Sequence, residues 1–343
     1  MAESSRQLPS NMVAREFGEV NIRPVGTQLE VTFTIAMEPQ GVDAEGWQTG
    51  VALDASGSMR EWFGQSLKGS FPPEALAEYR QKGWVYTKND DGRSITMARP
   101  EAYEDGLRRG YLKNSENIIQ PLAREFIGYL AENLDADGGT TVIYWACGNG
   151  GATEVLGDFT AQQCRELVLE GPKSVKFGDG TQLLPALKYF VERFSDAARG
   201  MYLFLTDGRL DDLDAIKRYT RELAQAIANG NRNPVKCVLV GVGSEIDASQ
   251  MEQLDDLDTG TDVDIWDHKI AQEMRSLVEI FAEVVDENQL VAPMGRIFDS
   301  MGKQVKNFPD GLPAKVTFTM PRGSQFFELE VGGERIRQSV VML

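Results

Sequence analysis

A short apolar run over residues 51–53 ends at an acid that is followed by two hydroxyl side chains, in the order Asp54-x-Ser56-x-Ser58. A continuous apolar run is typical of a strand buried on both faces of a parallel sheet. Open α/β sheets bind ligands at the carboxyl ends of such strands, where these three side chains are expected to lie. A carboxylate and two hydroxyls, with no cysteine or histidine nearby, favour a hard cation such as Mg²⁺, with Mn²⁺ or Ca²⁺ as the other candidates.

Serine and glycine after a strand are also ordinary turn residues, so this motif alone does not distinguish a site from a turn. Two further stretches contribute polar groups of the same kind. Thr181 follows a Gly-Asp-Gly sequence and precedes an apolar pattern of helical spacing over residues 183–194. Asp207 follows a second apolar run, residues 201–205, and Thr206. The three stretches together offer three hydroxyls and two carboxylates to a cation.

The combination of D-x-S-x-S, a loop threonine and a strand ending in T-D-G resembles the metal-ion-dependent adhesion site of the von Willebrand factor A (vWA) domain, the fold shared with integrin I domains. The resemblance covers residues 46–288 and implies a doubly wound, mostly parallel, Rossmann-like α/β sheet. It implies that Ser56, Ser58 and Thr181 bind the metal directly or through water, and that Asp54 and Asp207 hold the coordinated waters. In that family, a carboxylate from a partner protein fills the open coordination position.

The resemblance therefore implies a metal-dependent protein-interaction module in which a partner's Asp or Glu completes the metal's coordination. Bacterial intracellular members of the family often serve as adaptors for AAA+ ATPases of the MoxR type, or act beside kinase and phosphatase modules of the tellurite-resistance type. The alternative is a metal-dependent hydrolase or phosphoryl-transfer enzyme that uses the same site. We expect no enzyme, because no base or nucleophile is evident and the one histidine, His268, lies outside any nucleophile-elbow pattern.

Composition narrows the classes of partner and compartment. The chain has 343 residues and a formal net charge of −17, and its Lys and Arg residues form no cluster. Nucleic acids and anionic membranes bind basic patches, so we expect neither as a partner. The three cysteines are an odd number at no metal-like spacing, which predicts a reducing compartment. With no signal-peptide pattern and no apolar run near the roughly 20 residues of a membrane span, we expect a cytoplasmic protein.

The two ends of the chain carry a different pattern. Apolar and polar residues alternate over residues 28–36, over 314–320 and over 327–331, as in half-buried antiparallel strands. Because neither end has enough strands to be stable alone, we expect residues 1–45 and 289–343 to form one small β-sandwich, with a vWA domain of residues 46–288 inserted between them. The alternative is two unrelated flaps that pack on the large domain.

A long connection follows the first motif, and we call residues 60–114 the insertion. Its sequence predicts a β-hairpin with Asp91-Gly92 in the turn, and the next helical pattern begins at Ser115, a possible N-cap. Long connections in compact domains are usually functional or disordered, and the aromatic residues here disfavour disorder. The insertion is interpreted as a lid or a partner-recognition element beside the metal; the alternative is a satellite subdomain that only covers a helix.

The remaining pattern alternates strands with helices, which predicts a layered α/β sheet. Strands are expected over residues 140–147, 152–156, 235–243 and 265–266, followed by a last helix that contains Ile270, Met274, Leu277, Val278, Phe281 and Val285. The acidic run from Asp255 to Asp267 lacks the Gly and the terminal Glu of an EF-hand loop, so we expect a solvated acidic loop there.

Overall fold

The computed structural model of the chain describes residues 6–9, 12–35, 46–90, 93–243, 246–272, 274 and 290–341. Its strands, in chain order, are β1 (Arg6–Gln7), β2 (Phe17–Val25), β3 (Gln28–Ile35), β4 (Trp47–Asp54), β5 (Leu67–Gly69), β6 (Val85–Asp90), β7 (Arg93–Ala98), β8 (Leu112–Asn114), β9 (Thr140–Cys147), β10 (Ala152–Phe159), β11 (Arg199–Thr206), β12 (Val235–Gly241), β13 (Trp266–Ile270), β14 (Leu290–Ala292), β15 (Gly295–Asp299), β16 (Gln304–Phe308), β17 (Leu312–Pro313), β18 (Lys315–Pro321), β19 (Phe326–Val331) and β20 (Glu334–Ser339). Its helices are α1 (Pro73–Gln81), α2 (Pro100–Arg108), α3 (Ile119–Asn133), α4 (Ala161–Cys164), α5 (Leu184–Arg193), α6 (Leu213–Ala228) and α7 (Ala248–Asp255), and a 3₁₀ turn spans Ser58–Arg60.

Six strands form the central sheet, in the order β10-β9-β4-β11-β12-β13. All neighbouring strands are parallel except β10, which pairs antiparallel with β9 at one edge. Every residue of β9 is buried, and so is every residue of β11 after the first. Continuous apolar runs form such strands because both faces of the sheet are covered. The expected α/β class with a mostly parallel sheet is confirmed.

Two hydrophobic cores cover the two faces of this sheet. Successive side chains of a strand point to opposite faces, so Val51 and Leu53 of β4 join one core whereas Ala52 joins the other. The first core takes its helical side chains from α3, including Phe126, and from Cys164 of α4. The second takes them from α5, α6 and α7 and includes Phe190. The sheet is therefore packed between helices on both faces, and its strand ends are the places where polar side chains can collect.

Strands from the two ends of the chain pair with each other. β3 and β18 are antiparallel neighbours in a four-stranded sheet of order β1-β2-β3-β18, which confirms the pairing expected from their alternating patterns. A second four-stranded sheet has the order β16-β15-β19-β20. Both sheets contribute to one apolar core, in which the Phe33 ring lies 5.2 Å from the Phe327 ring. The N-terminal segment also takes part, since Leu8 and Val13 are buried in this core.

The insertion folds into a small unit of its own. Antiparallel pairing of β5 with β8 brings its two ends together. Between them, α1, the β6–β7 hairpin and α2 surround a small core that includes Tyr79 and Val85. The Tyr79 hydroxyl donates to Asp105 Oδ2 at 2.8 Å within this core. The hairpin is confirmed, although its expected turn residues Asp91 and Gly92 lie outside the described residues.

Two sequence-based expectations near the sheet are wrong. Ser115 is not the N-cap of a helix, because its hydroxyl donates to the Glu61 carbonyl at 2.7 Å and α3 begins only at Ile119. Ile270 belongs to β13, not to a helix, because it pairs with Gly241 at the sheet edge. Met274 is described, and its backbone N–H donates to the Ile270 carbonyl at 3.1 Å. The other residues expected in that helix, Leu277, Val278, Phe281 and Val285, and the expected boundary at 288/289 lie outside the described residues.

No helix among the described residues is both long enough and apolar enough to cross a lipid bilayer. The three cysteines are free thiols, and all of them are buried. Cys147 and Cys237 lie in β9 and β12, where burial raises the pKa of each thiol. A buried thiol with a raised pKa is a poor nucleophile, so these cysteines act as small apolar side chains in the core.

Candidate metal centre

The carboxyl ends of β4 and β11 meet at one edge of the central sheet. The two strands are parallel neighbours, and Leu53 pairs with Leu205 in their register. Asp54 therefore lies beside Thr206, and the segments that leave both strands begin at the same edge. Two motifs about 150 residues apart in sequence are brought together in this way, as expected for a ligand site at the carboxyl edge of an α/β sheet.

Asp54 lies at the base of the site, and its side chain is fully buried. Its two oxygens accept hydrogen bonds from different segments: the Thr206 hydroxyl donates to Oδ2 at 2.6 Å, and the Ser56 backbone N–H donates to Oδ1 at 2.7 Å. The Gly208 N–H donates in turn to Thr206 Oγ1 at 3.2 Å. Asp54 thus links the turn after β4 to the turn after β11 and orients both.

The hydroxyls of Ser56 and Ser58 lie above this base, with their oxygens 3.1 Å apart. Ser58 donates to Asp207 Oδ1 at 2.9 Å, so in the contact between the two serines Ser56 is the donor, and one lone pair of Ser58 is left for another partner. Ser56 is buried, whereas Ser58 is exposed at the start of the 3₁₀ turn. The group of oxygens therefore opens to the surface on the Ser58 side.

Thr181 is brought to the same edge through its backbone. The Gly178 N–H donates to the Ala55 carbonyl at 2.8 Å, and Ser56 and Gly178 form a parallel β-bridge. The Thr181 N–H donates to Asp211 Oδ2 at 2.8 Å, which connects its loop to the segment after Asp207. Residues 178–181, which we call the threonine loop, are thus held between the other two motifs, and Thr181 is 8% exposed.

Close backbone packing explains the glycine at position 178. A Cβ on Gly178 would overlap the carbonyl oxygen of Ala146, so any side chain there would push the loop away from the sheet edge. Ala146 itself has a φ of 54°, in the left-handed region that residues other than glycine rarely occupy. The carboxyl end of β9 is thus strained where the threonine loop packs against it, and such strain often accompanies functional sites.

Trp62 is a member of this site that the sequence-based set of ligands did not include. Its indole N–H donates to Asp207 Oδ2 at 2.8 Å, so both Asp207 oxygens accept from protein donors. The only sequence signal is an aromatic residue shortly after Ser58, at the start of the insertion. Nothing in that local pattern specifies a partner 145 positions away.

The electrostatics of the site fit a hard divalent cation. The pKa of Asp54 is raised to about 7. Burial raises it most, hydrogen bonds from Thr206 and Ser56 oppose the rise, and the neighbouring Asp207 carboxylate adds to it. A buried carboxylate of this kind is costly to ionise unless positive charge lies nearby. The available donors are hydroxyl and carboxylate oxygens, which hard cations such as Mg²⁺ prefer. The residues present therefore suit the ion that the motif implies.

A second acidic group lies on α7 and on β13, the last strand of the central sheet. Asp255, Asp267 and His268 have ligand atoms within 4.8 Å of one another. His268 Nδ1 lies 2.7 Å from Asp255 Oδ2, and Lys269 Nζ lies 2.7 Å from Asp267 Oδ2, so protein groups already pair both carboxylates. The expectation of a solvated acidic loop is wrong at both ends of the run: Asp255 is the last residue of α7, and Asp267 lies in β13 with 2% of its side chain exposed.

Each candidate site residue thus has a defined place: Asp54, Ser56, Ser58 and Asp207 form one series of hydrogen bonds, and Thr181 is fixed beside them by backbone contacts. His268 lies in β13, separated from β4 by two strands of the sheet. Searches against protein-family models and against curated proteins gave no match.

Proposed function

We propose that residues 46–288 form a vWA-type domain that binds one divalent cation, Mg²⁺ in the first instance, and through it an acidic residue of a partner protein. The observation that carries this proposal is the series of hydrogen bonds from Thr206 through Asp54, Ser56 and Ser58 to Asp207. It places oxygen donors from distant stretches of the chain at one edge of the sheet.

Two groups of site residues would have different roles. Ser56, Ser58 and Thr181 would hold the cation through their hydroxyl oxygens, and Asp54 and Asp207 would hold its water molecules. The bound cation supplies the positive charge to which a partner's carboxylate binds. Because Ser58 gives its proton to Asp207, its oxygen can face the cation as an acceptor. The exposed position of Ser58 gives a side chain from another protein access to this point.

Charge supports a metal-dependent interaction over a direct one. The chain carries a formal net charge of −17, which repels an acidic partner at long range. A local divalent cation reverses the sign of the potential at one point of the surface, where a single Asp or Glu can bind. On this basis, the partner's affinity depends steeply on the metal, and removal of the metal abolishes the complex.

We place the protein in the cytoplasm, as an adaptor or regulatory component of a larger complex. The partner classes that follow from the vWA resemblance are a MoxR-type AAA+ ATPase and a kinase or phosphatase module. Residues 1–45 and 289–343 would form the companion β-sandwich; the shared core of the two chain ends supports this division. The buried free thiols are compatible with a reducing compartment.

The first prediction is that Mg²⁺ binds at this site and stabilises the fold. At a concentration of one hundred times the dissociation constant, the metal should add about 2.7 kcal/mol to the free energy of unfolding. Titration calorimetry measures the dissociation constant, and thermal unfolding in Mg²⁺ and in EDTA measures the stabilisation. The Ser56→Ala/Ser58→Ala protein should lose both effects, whereas Ser249→Ala, on the exposed start of α7, should retain them.

Partner capture from the native cell extract tests the second half of the proposal. The wild-type protein should retain a partner in Mg²⁺ and release it in EDTA, and the double serine variant should retain none. Equal retention by the wild type and the variant would contradict the carboxylate-to-metal mechanism. Turnover of phosphoester or peptide substrates that requires the metal and disappears in the variant would instead favour the enzyme alternative.

A further inference from the structure

The contact between the insertion and the metal site assigns a role to Trp62. We propose that Trp62 is a positioning residue: its indole N–H fixes the orientation of the Asp207 carboxylate, and in this way the insertion sets the affinity of the site for its cation. This inference rests on the proposed metal binding. It concerns a residue outside the D-x-S-x-S, threonine and aspartate motifs.

The geometry at Asp207 is the first step of the argument. Oδ1 accepts the Ser58 hydroxyl at 2.9 Å, and Oδ2 accepts the Trp62 indole N–H at 2.8 Å. A carboxylate that is held at both oxygens has one orientation of its plane, and its remaining lone pairs point in fixed directions. Residues that orient a metal's ligands and waters in this way commonly change metal affinity when they are removed.

The indole is itself held in place from two sides. Its six-membered ring packs against Gly243, where a Cβ would come within 2.8 Å of Trp62 Cζ2, so a side chain at position 243 would displace the ring. Gly243 follows β12 in the sequence and has a positive φ of 94°. Trp62 is half-buried and packs on the core of the sheet face that carries α3. A bulky donor fixed by packing loses little entropy when it forms its hydrogen bond.

The backbone of Trp62 connects this donor to the closure of the insertion. Its carbonyl accepts the N–H groups of Ile118 and Ile119, at 3.0 and 3.3 Å, where the chain returns from the insertion into α3. Phe63 and Asn117 form an antiparallel bridge at the same place. The position of Trp62 therefore depends on how the two ends of the insertion meet, and a shift of the insertion moves the donor at Asp207.

The decisive experiment compares the Mg²⁺ affinity of the wild type with that of variants that lack the Trp62 indole N–H. Trp62→Phe keeps an aromatic ring but removes the N–H, and replacement of the indole by benzothiophene keeps the shape as well. Both changes should weaken Mg²⁺ binding at least about 10-fold in titration calorimetry, the range seen when such orienting groups are lost. Trp84→Phe is the matched control, because Trp84 packs in the insertion core against Tyr79; its Mg²⁺ affinity should equal that of the wild type.

A second measurement reports on the hydrogen bond itself. In ¹⁵N-indole spectra, the Trp62 signal, identified by its loss in Trp62→Phe, should shift on Mg²⁺ saturation, and the Trp84 signal should not. Wild-type affinity in both Trp62 proteins, or a Trp62 signal that ignores Mg²⁺, would overturn the inference while leaving metal binding intact. A wild-type protein that binds no Mg²⁺ would overturn the metal proposal and this inference with it.

Discussion

At the scale of single residues, the central feature is the charge of Asp54. Its carboxylate is fully buried, and burial raises its pKa from the ordinary value of 3.8 to about 7. A group whose pKa is higher in the folded state binds its proton more tightly there than in the unfolded chain. It therefore favours folding below the unfolded pKa, and this stabilisation is lost as the pH rises towards the folded pKa.

We predict that the metal-free protein loses stability between pH 4 and pH 7 on account of Asp54. In EDTA, the free energy of unfolding of the wild type should fall relative to Asp54→Asn by about 1.4 kcal/mol per pH unit within this window. Urea unfolding of both proteins across the window measures the difference, and the titrations that the two proteins share cancel. Parallel pH profiles would show that the Asp54 pKa is not raised.

The same experiment in saturating Mg²⁺ distinguishes the charge effect from a packing effect. A bound cation favours the ionised carboxylate, so the pH-dependent loss in the wild type should largely disappear. Asp54→Asn should not respond to Mg²⁺, because the amide cannot supply the charge. A response of equal size in both proteins would place the cation elsewhere in the molecule.

At the scale of elements, the critical contact is the packing of the threonine loop on the sheet edge. Gly178 lies against the Ala146 carbonyl with no room for a Cβ, and it bridges to Ser56. We predict that Gly178→Ala destabilises the protein by about 1–3 kcal/mol, the usual cost of overpacking. It should also weaken Mg²⁺ binding, because the loop that carries Thr181 must move away from the site.

Gly128 provides the matched control for this change. It lies within α3, and a Cβ there would meet no atom within 4 Å. Gly128→Ala should stabilise the protein by about 0.5–1 kcal/mol, because alanine is the better helix residue, and should leave Mg²⁺ affinity unchanged. Urea unfolding and calorimetry give both quantities. If the two alanine variants behave alike, close packing at position 178 does not position the loop.

At the scale of the whole molecule, one core is shared by the two ends of the chain. Phe33 of β3 contacts the rings of Phe17, Phe318 and Phe327, which come from both ends. We predict that Phe33→Ala costs this core about 3–5 kcal/mol and makes residues 290–341 sensitive to protease. Mg²⁺ binding should remain close to the wild-type value, because the central sheet has its own two cores.

Phe190→Ala is the counterpart in the central sheet. Phe190 is fully buried and stacks on Tyr202 with the ring centroids 4.9 Å apart. Its truncation should lower Mg²⁺ binding under mild denaturing conditions before residues 290–341 become sensitive to protease. Limited proteolysis with mass spectrometry compares the two variants. Loss of protection over the whole chain at once in both would mean that the molecule unfolds as a single unit.

Several features followed from the amino-acid sequence alone. The apolar runs of β4, β9, β11 and β12 predicted buried parallel strands, because strands covered on both faces need apolar residues at every position. Alternation in β3 and β18 predicted half-buried antiparallel strands, and these strands do pair. Both signals are local, because the burial of each face of a strand determines whether the residues on that face are apolar or polar. The five oxygen-bearing residues of the candidate site were likewise visible as short motifs.

Other features depended on contacts between distant residues and could not be read from local patterns. Trp62 reaches Asp207 only because β4 and β11 are neighbours in the sheet, and Ser115 bonds to Glu61 only because the insertion closes on itself. The helices of the insertion, α1 and α2, were not predicted, although the first residue of each is a proline, which is common at the start of a helix. Burial of Asp54, and hence its raised pKa, exists only once both faces of the sheet are covered. Local sequence determines which faces are apolar, whereas tertiary packing decides which polar groups meet and how far they are removed from water.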